Sequence, residues 1–360
     1  MIPRFLLRSR SHRAPTLWSL PSRSSSTAPF FEFYNKAADE FRLGNLDLAA
    51  DFNRKAIQAA DAAKSEVNWR DVAAVRLNLA HILKLQSDFS QALESAESAL
   101  KDLDAHFSSN KQEVCFALDV MSELCCEIGE VTRGLEYINR AIELKTRIGG
   151  VDALGLARSY NIRGALFLTE NKIGESRSDF IRGLGINVLH HGKERPLHLS
   201  IGITLSNIGG VLRKESGRII ECEALYRDVV SSFENSMNAP GESWMVGQAL
   251  SDLAEALIEQ GTKSSLEEAK SHLARALHIF LSTRGMQHPS TDRATALLRA
   301  CAQSDPKDET PSSSPDFVNT LLSESEKVIP RKELRISGDI LFLDRRGHVG
   351  HGHPHTPLFQ

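Results

Sequence analysis

Apolar residues along most of the chain recur at three- and four-residue intervals, and short polar breaks interrupt them. The clearest unit runs from Asn78 to Leu100. Leu79, Ala80 and Leu83 lie on one face of a predicted helix, and Ala92, Ala96 and Ala99 lie on one face of a second. The polar pair Ser87-Asp88 turns the chain between them. Small residues at Ala80 and Ala92 let two antiparallel helices approach closely.

The same order of small and large positions returns along the chain. Leu118, Met121, Ser122, Cys125, Gly129, Val131, Gly134, Ile138, Ala141 and Ile142 repeat it without a gap. So do Tyr160, Gly164, Phe167, Asn171, Ile173, Ser176, Phe180, Gly183 and Leu184. Leu205, Ile208, Gly209, Leu212, Gly217, Ile219, Cys222, Tyr226 and Val229 form a copy with one residue inserted before the turn glycine. Leu250, Leu253, Ala254, Leu257, Gly261, Leu266, Ala269, Leu273, Ala276 and Leu277 form another, with a longer turn from Gly261 to Ser265. Ala38, Phe41, Gly44, Leu46, Ala49, Ala56 and Ile57 make a weaker copy upstream. Equivalent second-helix positions are Ala56, Ala99, Ala141, Gly183, Val229 and Ala276, at spacings of 43, 42, 42, 46 and 47. A random amphipathic bundle would not hold one size pattern at so steady a spacing.

This arrangement resembles the tetratricopeptide repeat family, whose usual period is about 34 residues. The longer period is similar to that of the kinesin-light-chain subgroup. Leu205-Ser206-Asn207-Ile208-Gly209-Gly210, Glu223-Ala224-Leu225-Tyr226 and Ala276-Leu277 resemble that subgroup's helix segments, as does His288-Pro289 followed by Ala294 to Leu298. The resemblance implies an all-α fold: a right-handed superhelical solenoid of about six helix-turn-helix repeats plus a closing helix, spanning 31–303. A short irregular C-terminal tail would follow.

The two ends differ from the body. Residues 1–28 carry Arg4, Arg8, Arg10, Arg13 and Arg23, seven serines and no acid. That composition, with an amphipathic start, predicts an organelle transit peptide cleaved between Ser24 and Pro29. Arginine and the helical start favour the mitochondrion, with the matrix as compartment, over the plastid. Residues 304–316, rich in proline, serine and charge, predict a disordered linker. The segment 317–360 predicts a short helix from Phe317 to Val328, then a hairpin over Leu334 to Leu343 turning at Gly338-Asp339, then a histidine-rich end.

Composition changes the picture in three places. No apolar run is long enough for a membrane span. Without the five leader arginines, the formal charge of −3 becomes −8 for the rest of the chain, a poor match for phosphate neutralisation. Cys115, Cys125, Cys126, Cys222 and Cys301 form no C-x-x-C pair and fall inside helical patterns, so they read as small buried hydrophobes. P-loop, G-x-S-x-G and H-E-x-x-H motifs are missing, no cofactor is implied, and no enzyme activity is expected. His190-His191 read as capping or solvent-facing residues at a repeat junction.

The expected function is that of a scaffold for a protein or peptide segment, with assembly of a mitochondrial complex as the specific form. The first helix of each pair lines the concave face of such a solenoid. Residues beside its packing positions are Asn78, His81, Lys84, Asp119, Glu123, Arg158, Asn161, Asn207, Arg213, Gln248, Asp252 and Glu255. In tetratricopeptide relatives an asparagine beside the packing leucine resembles a ladder that bonds an extended peptide backbone, a task suited to a carboxamide. Asn78 and Asn207 match it, Asn161 lies one residue off, and Val120, Ile162 and Asp252 occupy the other equivalent positions. Cations on this face are spread among carboxylates, so a mixed-charge partner is expected instead of a carboxylate-clamped one. Two alternatives are an organellar RNA-binding repeat protein and a metal-binding protein using His348, His351, His353 and His355.

Overall fold

The computed structural model describes residues 28–43, 45–63, 66–106, 112–147, 153–193, 197–215, 217–236, 243–283, 285–286, 288–304, 316–328, 340–343 and 349–352. Helices dominate them, in two units. The first unit contains three helical hairpins: α1 (Ala28–Arg42) with α2 (Leu46–Ala63), α3 (Trp69–Leu85) with α4 (Phe89–His106), and α5 (Gln112–Ile128) with α6 (Val131–Arg147). The second contains α7 (Ala153–Thr169) with α8 (Ile173–His191), α9 (Leu199–Lys214) with α10 (Ile219–Ser236), and α11 (Trp244–Gln260) with α12 (Lys263–Thr283). The closing helix α13 (Pro289–Gln303) packs on α12 and touches α11, and α14 (Asp316–Val328) packs on α8 and α10.

The hairpin turns share one backbone device. Ser87, Gly129, Asn171, Gly217 and Gly261 all adopt positive φ, between 59° and 80°. In three of these turns the next amide bonds back to a carbonyl five residues earlier: Asp88 to Leu83, Glu130 to Cys125 and Lys172 to Phe167, at 2.8–2.9 Å. That bond satisfies a carbonyl at the helix end and reverses the chain within about one turn.

The size pattern becomes packing. A Cβ on Gly164 would come within 2.6 Å of the Phe180 ring, and one on Gly209 within 2.6 Å of the Tyr226 ring. In both hairpins the glycine carbonyl accepts a bond from the second helix: from Ser176 Oγ at 2.8 Å, and from Cys222 Sγ at 3.4 Å. The pairs are twelve and thirteen residues apart, so the inserted residue is absorbed in the turn and the helix register survives. Four of the five cysteines are buried, and Cys126 is half-buried. Burial pushes the Cys125 and Cys222 thiols up to about 12, which keeps them protonated at neutral pH.

Helix α1 starts at Ala28, and Phe30 and Phe31 are buried with Tyr34, Ala56, Ala60, Val67 and Val75. The first repeat therefore takes in residues at the edge of the expected leader, whose residues 1–27 lie outside the described ones. The same holds for residues 305–315 of the expected linker. Near the C-terminus, β1 (Ile340–Leu343) pairs antiparallel with β2 (Val349–Gly352), with Ile340 opposite Gly352 and Leu343 opposite Val349. Gly338-Asp339 precedes the first strand and does not turn this hairpin. The apolar run that pairs is Ile340–Leu343, and its partner comes from the glycine-histidine segment Val349–Gly352. No described helix is long and apolar enough to cross a membrane.

Candidate functional site

In the second unit the first helices α7, α9 and α11 each bury one side and leave a stripe on the other. On α9 the stripe is Ile203, Asn207, Gly210 and Arg213; on α11 Trp244 and Glu259 are exposed and Gln248 and Glu255 half-buried, while Asp252, expected on the open face, is a correction: it is buried within the unbroken buried run Ala249–Ala254. Steps of three and four residues put each set on one helical face. Bonds between neighbouring first helices fix the stripes side by side. Asn161 of α7 donates to Thr204 Oγ1 of α9 at 2.8 Å, and Arg213 of α9 reaches Glu255 at 2.7 Å and Glu259 at 2.5 Å on α11. Arg293 of α13 pairs with Asp252 at 2.8 Å and also with Glu255. Gln248 donates to Asp252 at 2.9 Å.

These contacts set the electrostatics of the face. Burial works to lower the Arg213 pKa, but the bonds from Glu259 and Glu255 outweigh it and raise the value. Burial works to raise the Glu255 pKa, and the charges of Arg293 and Arg213 overcome it and hold the carboxylate below its usual range. Asp252 goes the other way, because its deeper burial outweighs the Arg293 charge and raises its pKa. The Tyr226 hydroxyl, from the second helix α10, is pushed up by burial and further by the Asp252 charge. The carboxylates of α11 thus lie between two guanidinium groups, Arg213 and Arg293, that pair with all three.

Within this face Asn207 is half-buried and makes no side-chain hydrogen bond among the described residues, between exposed Ile203 one turn before it and Gly210 after it. Trp244, 42% exposed, begins the neighbouring stripe. The result is a polar and apolar strip whose charged members are already matched, with one carboxamide open to an incoming backbone.

The other expected residues fall into different settings. Asn161 is drawn into the fold: its amide goes to Thr204, and its Oδ1 is buried against the Gly183 backbone without a donor. Arg158 is half-buried on α7. In the first unit Asn78 bonds the Tyr34 hydroxyl, whose pKa burial raises, and His81 tilts over Phe41 at 6.0 Å between centroids. Lys84 of α3 bonds Glu123 of α5 at 2.5 Å. Asp119 is a correction: it is 2% exposed and tied at 2.6 Å to buried Lys145 of α6, so it points into the hairpin and not onto the open face. Its neighbours Leu118 and Val120 are buried as well, and the apolar pattern gave no warning that a charge pair sits between α5 and α6.

His190 and His191 also differ from expectation. His191 stacks on His198 at 3.5 Å between ring centroids, with His190 edge-on at 4.7 Å. His198 caps α9 by accepting the Ser200 N–H at 3.2 Å. Burial first, then the two neighbouring rings, lower the His191 pKa to about 4. Among the described residues, no group of three or more His, Cys, Asp or Glu side chains is placed to hold a metal ion. His351 lies in β2 opposite Leu341, while His348, His353 and His355 lie outside the described residues.

No protein-family model matches the chain, and no curated protein matches it. Solved structures do. A Rap protein complexed with Competence and Sporulation Factor matches over 84% of this chain and 78% of its own, with a TM-score of 0.53 and 12% identity. A putative kinesin light chain from Podosopora anserina with nearly identical tetratricopeptide-like repeats matches over 60% of this chain and 98% of its own, with a TM-score of 0.43 and 14% identity. A tetratricopeptide repeat protein from Parabacteroides merdae matches over 77% and 100%, with a TM-score of 0.43 and 16% identity. What the chain shares with the Rap protein is the fold, a succession of stacked helical hairpins.

Proposed function

We propose that the protein is an interaction scaffold that holds an extended polypeptide segment along the first-helix face of its second unit. Asn207 carries the proposal. A carboxamide that donates and accepts, half-buried on the first-helix face and without a hydrogen bond among the described residues, fits a peptide unit, which also donates and accepts. Ile203, one turn before it on α9, supplies apolar contact, and exposed Trp244 at the start of α11 adds an aromatic ring to the same unit. The Rap protein, similar in fold, was solved with Competence and Sporulation Factor bound, and that precedent supports the same use here.

The ion pairs refine the partner. Arg213 and Arg293 are matched by Asp252, Glu255 and Glu259, so hydrogen bonding and apolar contact would select a segment of low net charge. The same matching leaves no cation excess for a phosphate backbone and disfavours an RNA ligand. The arginine-rich leader supports placing the scaffold in the mitochondrion, with complex assembly as its task.

Proximity labelling in intact cells tests the face. Asn207→Ala combined with Ile203→Asp should remove specific partners from the labelled set while the helical content stays native. An unchanged set would end the proposal. Fusing residues 1–30 to a fluorescent protein tests the compartment separately: cytosolic fluorescence would dismiss mitochondrial import.

A further inference from the structure

Helix α8 is unusual among the second helices. Its first half alternates between buried and exposed positions, but Gly183, Leu184, Gly185, Ile186, Asn187 and Val188 are buried in unbroken succession. Six consecutive buried residues go round the whole helix, so this half is covered on every side. Asn187 faces α9, bonding the Ser200 carbonyl and Thr204 Oγ1, both at 3.2 Å. Ile186 packs with Ala157 of α7. The remaining side is closed by α14, which enters from beyond α13 and the intervening residues 305–315.

The seat of α14 has a definite chemistry. Val318 and Leu322 are buried in the core that also holds Leu184, Val188 and Leu225, and Phe317 and Leu321 pack partly against it. The spacing is that of a single apolar helical stripe. Two cations mark the rim: Arg218 sits over the Phe317 ring at 5.6 Å, and Lys193 bonds Glu326 at 2.6 Å. A helix of thirteen residues is marginal alone in water, so the helicity of α14 depends on its seat. Its tether is rich in proline and serine, a composition that closes no core of its own.

We propose that the groove between α8 and α10 is a second interaction surface and that α14 is its exchangeable occupant in cis. The surface receives an amphipathic helix from a partner protein. That helix carries paired apolar residues at α14's spacing, an aromatic ring under Arg218 and a carboxylate opposite Lys193. This surface belongs to the second helices and is independent of the first-helix face.

The test uses the full chain. Val318→Asp with Leu322→Asp undocks α14 and opens the groove. Circular dichroism checks that the stack keeps its helices. A fluorescent peptide of residues 316–328 should then bind the double variant saturably, at least tenfold tighter than the unaltered chain, where tethered α14 competes. Lys193→Glu in the double variant should weaken binding severalfold, and Glu326→Lys in the peptide should restore it. No saturable binding to a natively helical double variant overturns the proposal. A charge pair that fails to restore binding overturns the assigned orientation and the proposal with it. If the unaltered chain forms a dimer that the peptide dissociates, the occupant is a second copy's α14, and the partner-protein assignment falls.

Discussion

At the position seven residues before the left-handed turn residue, hairpin α3–α4 carries Ala80, and the equivalent second-helix position sixteen residues later is Ala96; both are fully buried. Hairpin α7–α8 carries Gly164 there and faces Phe180. Hairpin α3–α4 fills the helix crossing with two methyl groups, and hairpin α7–α8 moves all the bulk onto one side. Glycine removes a Cβ from the first helix so that an aromatic ring from the second can lie on its backbone. The two hairpins keep the same turn and the same helix order although one pair carries an aromatic ring more than the other, so each crossing is matched to its own pair of residues.

Truncating the ring gives the largest effect. Phe180→Ala leaves a hole beside a glycine that cannot fill it and should cost about 3–5 kcal/mol. Gly164→Ala alone should cost about 1–3 kcal/mol through overpacking. The double substitution recreates the pair found in the first unit, so its cost should fall well short of the sum. Amide exchange of α7 and α8 measures all three, and strict additivity would show that the two residues do not share one volume.

Next come two buried groups that give the units opposite pH responses. Asp71, 6% exposed at the start of α3, has an Oδ2 without a donor, and burial raises its pKa to about 6. The fold prefers the protonated form, so its contribution is complete below the unfolded value near 3.8 and is lost as pH rises through 6. Asp71→Asn should therefore stabilise the first unit by about 2 kcal/mol at pH 8 and far less at pH 3.5. Denaturant titrations at both values check it; equal gains would contradict the assignment.

His191 behaves in reverse. Its folded value near 4 lies below the ordinary 6.5, so its contribution is complete above 6.5 and is lost as pH falls toward 4. The second unit should lose about 1–2 kcal/mol over that window, with the half-exposed ring discounted for screening. His191→Phe should flatten the loss, and a slope that persists in that variant would assign it elsewhere.

The smallest effect concerns the turns. Ser87 holds a φ of 62° that Gly129 and Gly217 adopt without a side-chain penalty. Ser87→Gly should stabilise the α3–α4 hairpin by about 0.5 kcal/mol, read as slower exchange of its turn amides. A loss would mean that the serine side chain contributes more than the backbone costs.

Much of the fold was legible because its cause is local. The polar breaks, the small residues and the turn positions Ser87, Gly129, Asn171, Gly217 and Gly261 recur in the chain and become left-handed turns between packed helices. The candidate face was legible in part. Helical periodicity puts Gln248, Asp252 and Glu255 on one side of α11, and packing of α9 on the same unit brings Arg213 to Glu255. Their mutual neutralisation through Arg293 was not visible, because it depends on a residue from the closing helix. Asp119 misled for a similar reason: its partner Lys145 lies on the other helix of the hairpin, 26 residues away.

The sequence by itself determined the hairpin and its order of packing, since both rest on intervals of three to sixteen residues that one or two helices enforce, and it shows the period by repeating that unit every 42 to 47 residues. Only tertiary structure decided which polar groups remain open. Whether Asn161 is spent on Thr204 while Asn207 stays unbonded, and whether the apolar side of α8 is covered, depends on residues 43 to more than 130 positions away. Burial and charge act through space, and at those separations only the folded chain says which groups meet.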